Sequence, residues 1–133
     1  MRRGDVVLAV LQREVGKPRP VVVVQSDVIN ETDPTTYIVC PFTGDIAEGG
    51  PVPRIVVEPT PTNGLDRSSA IMTDKLALAG RDRLRDVIGR LDAGTMRRLD
   101  GMLAVVLGIG TAGSVELTAS DIPSFLRLAQ DER

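Results

Sequence analysis

Three short stretches hold the side chains best suited to chemistry: Arg3-Gly4-Asp5, Arg19-Pro20 and Pro41-Phe42-Thr43, each at the edge of an apolar run. An arginine presents five donors in a planar fork and keeps its charge near neutral pH. Arg19 is therefore suited to gripping an anion, or to stabilising one that develops in a transition state, and is a poor proton acceptor. A threonine hydroxyl such as that of Thr43 can donate one hydrogen bond and fix the orientation of what it holds. Singly, each signal is weak. Arg-Pro often does no more than end a loop before a strand, and Thr after a strand is commonly a turn residue.

The 133 residues include no histidine. That excludes His-ligated metal sites, Ser-His-Asp and Cys-His nucleophile pairs, and acid–base catalysis by a pair of histidines. Cys40 is the single cysteine, so no intrachain disulfide can form and a cytoplasmic protein is expected. It reads as a core residue, since a catalytic thiol needs a partner base. Aromatic residues make up 2% of the chain, which argues against binding single strands by base stacking. Net charge is −2, and without the acidic tail from Gly110 onward 14 basic residues face 14 acidic ones. Global charge thus neither supports nor excludes a polyanionic partner. Met1–Asp5 lacks the apolar stretch of a signal peptide, and the uncharged run at Gly101–Val115 is too short to span a bilayer, so no membrane association is expected.

The elements that must position these residues are mostly short strands. Asp5–Leu11 is a β-branched first strand, and Gln12–Arg19 is a charged loop with Gly16 and Pro18. Pro20–Gln25 is a continuous apolar run, which predicts a central strand buried on both faces. Ser26-Asp27 can cap a helical turn through Asn30. A strand follows over Thr36–Phe42, with Pro41 marking an edge or bulge near its end. Thr43–Pro53 is a Gly/Pro-rich loop. Arg54–Glu58, Ser69–Met72, Lys75–Ala79 and Asp86–Leu91 complete the strands. From Asp92, a plausible N-cap, the period changes: Met96, Leu99, Met102, Leu103, Val106 and Leu107 form one helical stripe ending near Gly108. The pattern predicts a linker at Gly110–Ser114 and a second amphipathic helix over Ser120–Gln130. Strands followed by a helix predict an α+β fold, a small curled antiparallel barrel with the helix packed on the sheet. The expected organisation is one domain over 1–109 and a tail over 110–133.

Taken together, at this order and spacing, Arg3-Gly4-Asp5-Val6-Val7, Arg19-Pro20-Val21-Val22-Val23-Val24 and Pro41-Phe42-Thr43 resemble the MazF/PemK family of toxin endoribonucleases. The resemblance continues through Gly64-Leu65-Asp66-Arg67-Ser68-Ser69, Asp74-Lys75, Arg83-Leu84 and Ile88-Gly89-Arg90-Leu91 to the closing helix with Met96 and Asp100. It covers roughly residues 2–109. It implies an SH3-like barrel of the CcdB/MazF/Kid type and a homodimer. The activity implied is metal-independent, sequence-selective cleavage of single-stranded RNA (mRNA), with no cofactor, held in check by a cognate antitoxin whose disordered acidic end wraps the active surface.

The family's catalytic Arg and Thr match Arg19 and Thr43. An acidic residue beside the pair falls at Asp74, and the Ser before it at Ser69. Three departures stand out: a shorter first loop, Lys75 in place of a common Gln, and Met72 where some members carry a second arginine. Asp74 is the candidate base; the alternatives for it are an ion pair with Lys75 or Arg19, or a turn role. Arg13, Lys17, Arg19, Arg54, Arg67 and Lys75 lie in or beside loops at one end of the predicted strands, so Arg13, Lys17, Arg67, Lys75 and Ser69 are candidate substrate-binding residues. For Arg13 and Arg54 an ordinary solvated charge is an equal alternative. Two other readings remain: a non-catalytic CcdB-like relative that poisons a protein target such as DNA gyrase, or a catalytically lapsed dimer acting as a regulator.

Overall fold

A computed structural model of the chain describes residues 1–11, 17–46 and 54–110. The expected helix at Ser120–Gln130, the tail around it and Arg13 lie outside the described residues.

Among these, β1 (Asp5–Ala9), β2 (Arg19–Val23), β3 (Thr36–Thr43), β4 (Ile55–Val57), β5 (Ser69–Ile71), β6 (Ala77–Gly80) and β7 (Leu84–Arg90) form one curled sheet. The order is β4-β5-β3-β2-β1-β7, with β6 also paired to β3 and every recorded ladder antiparallel. A short helix α1 (Asp27–Asn30) follows β2, and α2 (Ala93–Leu107) closes the domain. The strand pattern places β2 as expected: Val21, Val22 and Val23 are all fully buried. Side chains alternate across a strand. Val6, Val22 and Cys40 therefore enter one cluster with Leu99, Met102 and Leu103 of α2, while Val7, Val21, Val23 and Val39 enter another with Tyr37 and Leu84.

Pro41 sits where β3 changes neighbours. That edge of β3 pairs with β6 through Val39 and with β5 from Phe42. The missing N–H of a proline costs no ladder bond at such a changeover, and the Pro41 carbonyl still accepts from Met72 N at 2.9 Å. β7 begins at Leu84, two residues before the sequence pattern predicts, because Leu84 pairs with Ala9 and buries its side chain.

α2 has both expected caps. Asp92 Oδ1 accepts from Thr95 N at 2.7 Å, and Gly108 takes the left-handed conformation at φ 67°. Its stripe is buried at Leu99, Met102 and Leu103, while Leu107 is exposed.

Arg3-Gly4-Asp5 is a folding knot at the β1 end opposite Ala9. Arg3 N donates to Asp27 Oδ1 (2.7 Å), Arg3 Nε to the Val24 carbonyl (2.8 Å) and Arg3 Nη2 to Asp100 Oδ1 (2.6 Å). Asp5 accepts from Arg90 Nη1 at 3.0 Å and from Arg2 N at 2.8 Å. The knot ties the first residues to α1, α2 and β7.

Candidate active site

The register of the sheet brings the two predicted residues together. β2 and β3 pair with Val21 opposite Pro41 and Val22 opposite Cys40. Arg19, the first residue of β2, and Thr43, the last of β3, lie at the same end of these two neighbouring strands, each two residues beyond the Val21–Pro41 pair. Both line a single cavity of about 660 Å³ with Lys17, Pro18, Gly44, Asp66, Arg67 and Ser69. Its apolar wall comes from Leu8, Pro20, Phe42, Leu65 and Ile88.

The Thr43 hydroxyl is tied to the chain that follows it. Its oxygen accepts from Asp45 N at 3.1 Å, and its O–H can still donate to a group bound in the cavity. Asp45 is held in turn by Arg54, whose Nη1 donates to the Asp45 carbonyl at 2.8 Å and lies 3.9 Å from its carboxylate. Arg54 is thus spent on the chain after Thr43.

The opposite wall is the loop between β4 and β5, built by Asn63. The buried Asn63 side chain donates to the Glu58 carbonyl at 2.9 Å and accepts from Thr60 N and Leu65 N, both at 3.0 Å. The loop then crosses β7 at van der Waals range. A Cβ on Gly89 would lie 2.3 Å from the Asn63 carbonyl carbon, and one on Gly64, at φ +72°, would lie 2.1 Å from Ile88 O. Glycine is required at both crossings. Ser68 hydrogen-bonds the Glu58 carboxylate, and Ser69 Oγ donates to the Arg67 carbonyl at 3.0 Å. Ser69, expected to bind substrate, lines the cavity but is buried and uses its hydroxyl to hold this loop.

Of the predicted site residues, Arg19, Thr43, Lys17, Arg67 and Ser69 converge on the cavity; Asp74 and Lys75 are not among its lining residues. β5 runs antiparallel to β3, so from Ala70, opposite Thr43, the chain travels away from Thr43 on its way to Asp74. Asp74 Oδ2 lies 3.8 Å from Lys75 Nζ, the ion-pair alternative considered for it. The lining carboxylate is Asp66, which sequence reasoning passed over; its place between Leu65 and Arg67 in a turn-rich stretch gave no signal beyond loop polarity. Gly44 was also missed.

Charge is distributed unevenly around the molecule. Arg3, Arg54, Arg81 and Arg90 pair with Asp100, Asp45, Asp33 and Asp5. Lys17 and Arg67 form no ion pair among the described residues. With Arg19 they make a wall rich in donors and positive charge around a hydroxyl donor, an arrangement suited to an oxyanion such as a phosphodiester. Cys40 plays no part: burial pushes its thiol up to about 12, so it stays protonated. Among the described residues no three His, Cys, Asp or Glu side chains cluster as a metal site would need, and no helix is long and apolar enough to cross a membrane.

Comparison with known proteins agrees with this architecture. The profile of the PemK-like, MazF-like toxins of type II toxin–antitoxin systems matches residues 2–107. The chain is 42% identical over 110 residues to a probable endoribonuclease MazF of Mycolicibacterium smegmatis, covering 82% of this chain and 98% of that one. It is 32% identical to the endoribonuclease MazF of Staphylococcus saprophyticus, covering 86% and 97% of the two chains. The fold is similar to that of a Mycobacterium tuberculosis MazF toxin, with TM-score 0.65, 22% identity and coverage of 80% and 99%. A chain of a MazE–MazF crystal structure from Deinococcus radiodurans matches with TM-score 0.65, 20% identity and coverage of 83% and 97%. By its sequence over nearly the whole described fold, the chain belongs to the PemK/MazF family of type II toxin–antitoxin toxins.

Proposed function

We propose that this chain is a metal-independent, sequence-selective endoribonuclease that cuts single-stranded mRNA, the toxin of a pair neutralised by a cognate antitoxin. The observation that carries the reading is that Arg19 and Thr43, at the same end of β2 and β3, line one cavity together with Lys17 and Arg67. The family's toxins and the curated relatives named endoribonuclease support it. They also leave the gyrase-binding alternative without support.

RNA carries its own nucleophile. In the proposed reaction the 2′-oxygen attacks phosphorus, a new P–O2′ bond forms and the P–O5′ bond breaks. The 2′-OH proton passes to an acceptor, and the departing 5′-oxygen takes up a proton. The products are a 2′,3′-cyclic phosphate and a 5′-OH end. Arg19 stabilises the charge of the phosphorane, and the Thr43 O–H orients a non-bridging oxygen. Lys17 and Arg67 attract the backbone, and Arg13 and Lys75 are further candidates for binding it. Asp66 is the acceptor in this reading because it lines the cavity; Asp74 is the second candidate, and the asparagine variants of the two separate them through the acidic limb of the rate–pH profile. The working species is a cytoplasmic homodimer.

The test is incubation of a long single-stranded RNA in excess EDTA with the wild type, Arg19→Ala and Thr43→Ala. Discrete cuts with cyclic-phosphate ends, lost in both variants, are expected. Intact RNA from the wild type on several unrelated sequences, or loss of cutting in EDTA alone, overturns the corresponding part of the proposal.

A further inference from the structure

Arg67 is placed by a contact that the clamp described above does not require. A Cβ built on Gly44 would lie 3.1 Å from Nη2, 3.2 Å from Cζ and 3.4 Å from Nε of Arg67. The guanidinium therefore rests flat against the main chain one residue beyond Thr43. Gly44 does not have the left-handed backbone that favours glycine, since its φ falls outside that range. What the missing side chain provides at 44 is room for Arg67.

Both halves of this contact are held in place. Thr43 Oγ1 accepts from Asp45 N, and Arg54 binds the Asp45 carbonyl, which fixes the main chain on either side of Gly44. On the Arg67 side, Ser69 Oγ holds the Arg67 carbonyl and Asn63 builds the preceding turn. The Arg67 guanidinium itself has no hydrogen bond or ion pair among the described residues. Its donors are thus available, beside the main chain one residue beyond Thr43 and in the wall of the same cavity, where holding them costs little further side-chain entropy.

We propose that Gly44 is a platform that holds Arg67 as a second guanidinium on the scissile phosphate, so that Arg19 and Arg67 share the charge of the phosphorane. This rests on the endoribonuclease reading of the same cavity. Arg67 is then a catalytic residue, and Gly44 a positioning residue that acts through it.

The experiment is a steady-state comparison, on one defined RNA oligonucleotide, of wild type, Arg19→Ala, Arg67→Ala, Arg67→Lys, Gly44→Ala, Gly44→Val and Gly44→Val/Arg67→Ala. Thermal melts check that each variant folds. Removing a preorganised donor of this kind lowers kcat by about 10²–10³-fold, so Arg67→Ala is expected to fall in that range with a smaller change in KM. Arg67→Lys keeps the charge but not the planar fork, and is expected to recover little. Gly44→Ala should lose part of the activity, because the guanidinium must shift by a few tenths of an ångström. Gly44→Val should approach Arg67→Ala, and the double variant should be no slower than Arg67→Ala alone. Wild-type kcat in Arg67→Ala, or a change confined to KM, overturns the proposal. So does a folded Gly44→Val with wild-type activity, or full additivity in the double variant. Full cutting by Arg19→Ala overturns the shared clamp as well, whereas failure of the wild type to cut overturns the endoribonuclease reading beneath it.

Discussion

At the scale of single residues, the direction of one hydrogen bond sets what Thr43 can do. Its oxygen accepts from Asp45 N–H, and its proton is used in no hydrogen bond recorded among the described residues. Thr43→Ser keeps both functions and is expected to retain most cleavage. Thr43→Val preserves the shape, loses the donor and frees Asp45 N–H, and is expected to lose about 10²-fold or more in kcat while melting within a few degrees of the wild type. Cleavage by Thr43→Val at the wild-type rate would remove the hydroxyl from the mechanism. The same scale separates the two aspartates. Asp74 has its neighbour Lys75 within ion-pair distance and lies beyond β5 from Thr43, whereas Asp66 shares the cavity with the proposed substrate.

At the scale of elements, the cavity wall depends on the β4–β5 loop crossing β7 with no side chain between them. Arg90 N donates to the Thr62 carbonyl at 2.9 Å, and Gly89 packs beneath Asn63. Both clashing partners of a Cβ at 89 are backbone, so the strain cannot be relieved by turning a side chain. Gly89→Ala is expected to cost about 2 kcal/mol or more in urea unfolding, and to loosen Arg67 with the loop that carries it. An unchanged unfolding midpoint would contradict the tight crossing. The meaning of Arg3-Gly4-Asp5 also belongs here. Its charges are used up tying α1, α2 and β7 to the start of β1, far along the strand from Arg19.

For the whole molecule, two carboxylates couple the fold to pH. Asp27 is held below the usual carboxylate range first by the Arg3 N–H and then by the Asn30 side chain; Asp92 is held there by the Thr95 N–H and hydroxyl that it caps. A carboxyl whose folded pKa is depressed favours the folded state above its unfolded value, and loses that contribution as pH falls through the folded one. Their share of stability is therefore constant near neutrality and lost in acid below the ordinary aspartate value of 3.8. Melting temperature is expected to be flat from about pH 7 to 5 and to drop below about pH 4. Asp92→Asn keeps a competent cap without the charge and should weaken the acid drop. A drop centred near pH 6 would contradict this assignment.

Much of the architecture is written in local pattern. The apolar run at Val21–Val24 already implied a strand buried on both faces. The change of period after Asp92, with an N-cap at one end and a glycine at the other, bounded α2 to within a residue or two. Those signals survive because periodicity and capping are properties of neighbouring residues. The order of motifs also picked out Arg19 and Thr43. What the sequence by itself did not determine was which polar residues meet them. Asp66, Gly44 and Arg67 come together through the register of β3 against β5 and a loop folded back over β7, contacts between residues 23 to 29 positions apart. Asp74, adjacent to the pair in motif order, is carried away from Thr43 by the antiparallel direction of β5. Strand direction and backbone approach are long-range quantities, so only the tertiary structure decided the company Arg19 and Thr43 keep.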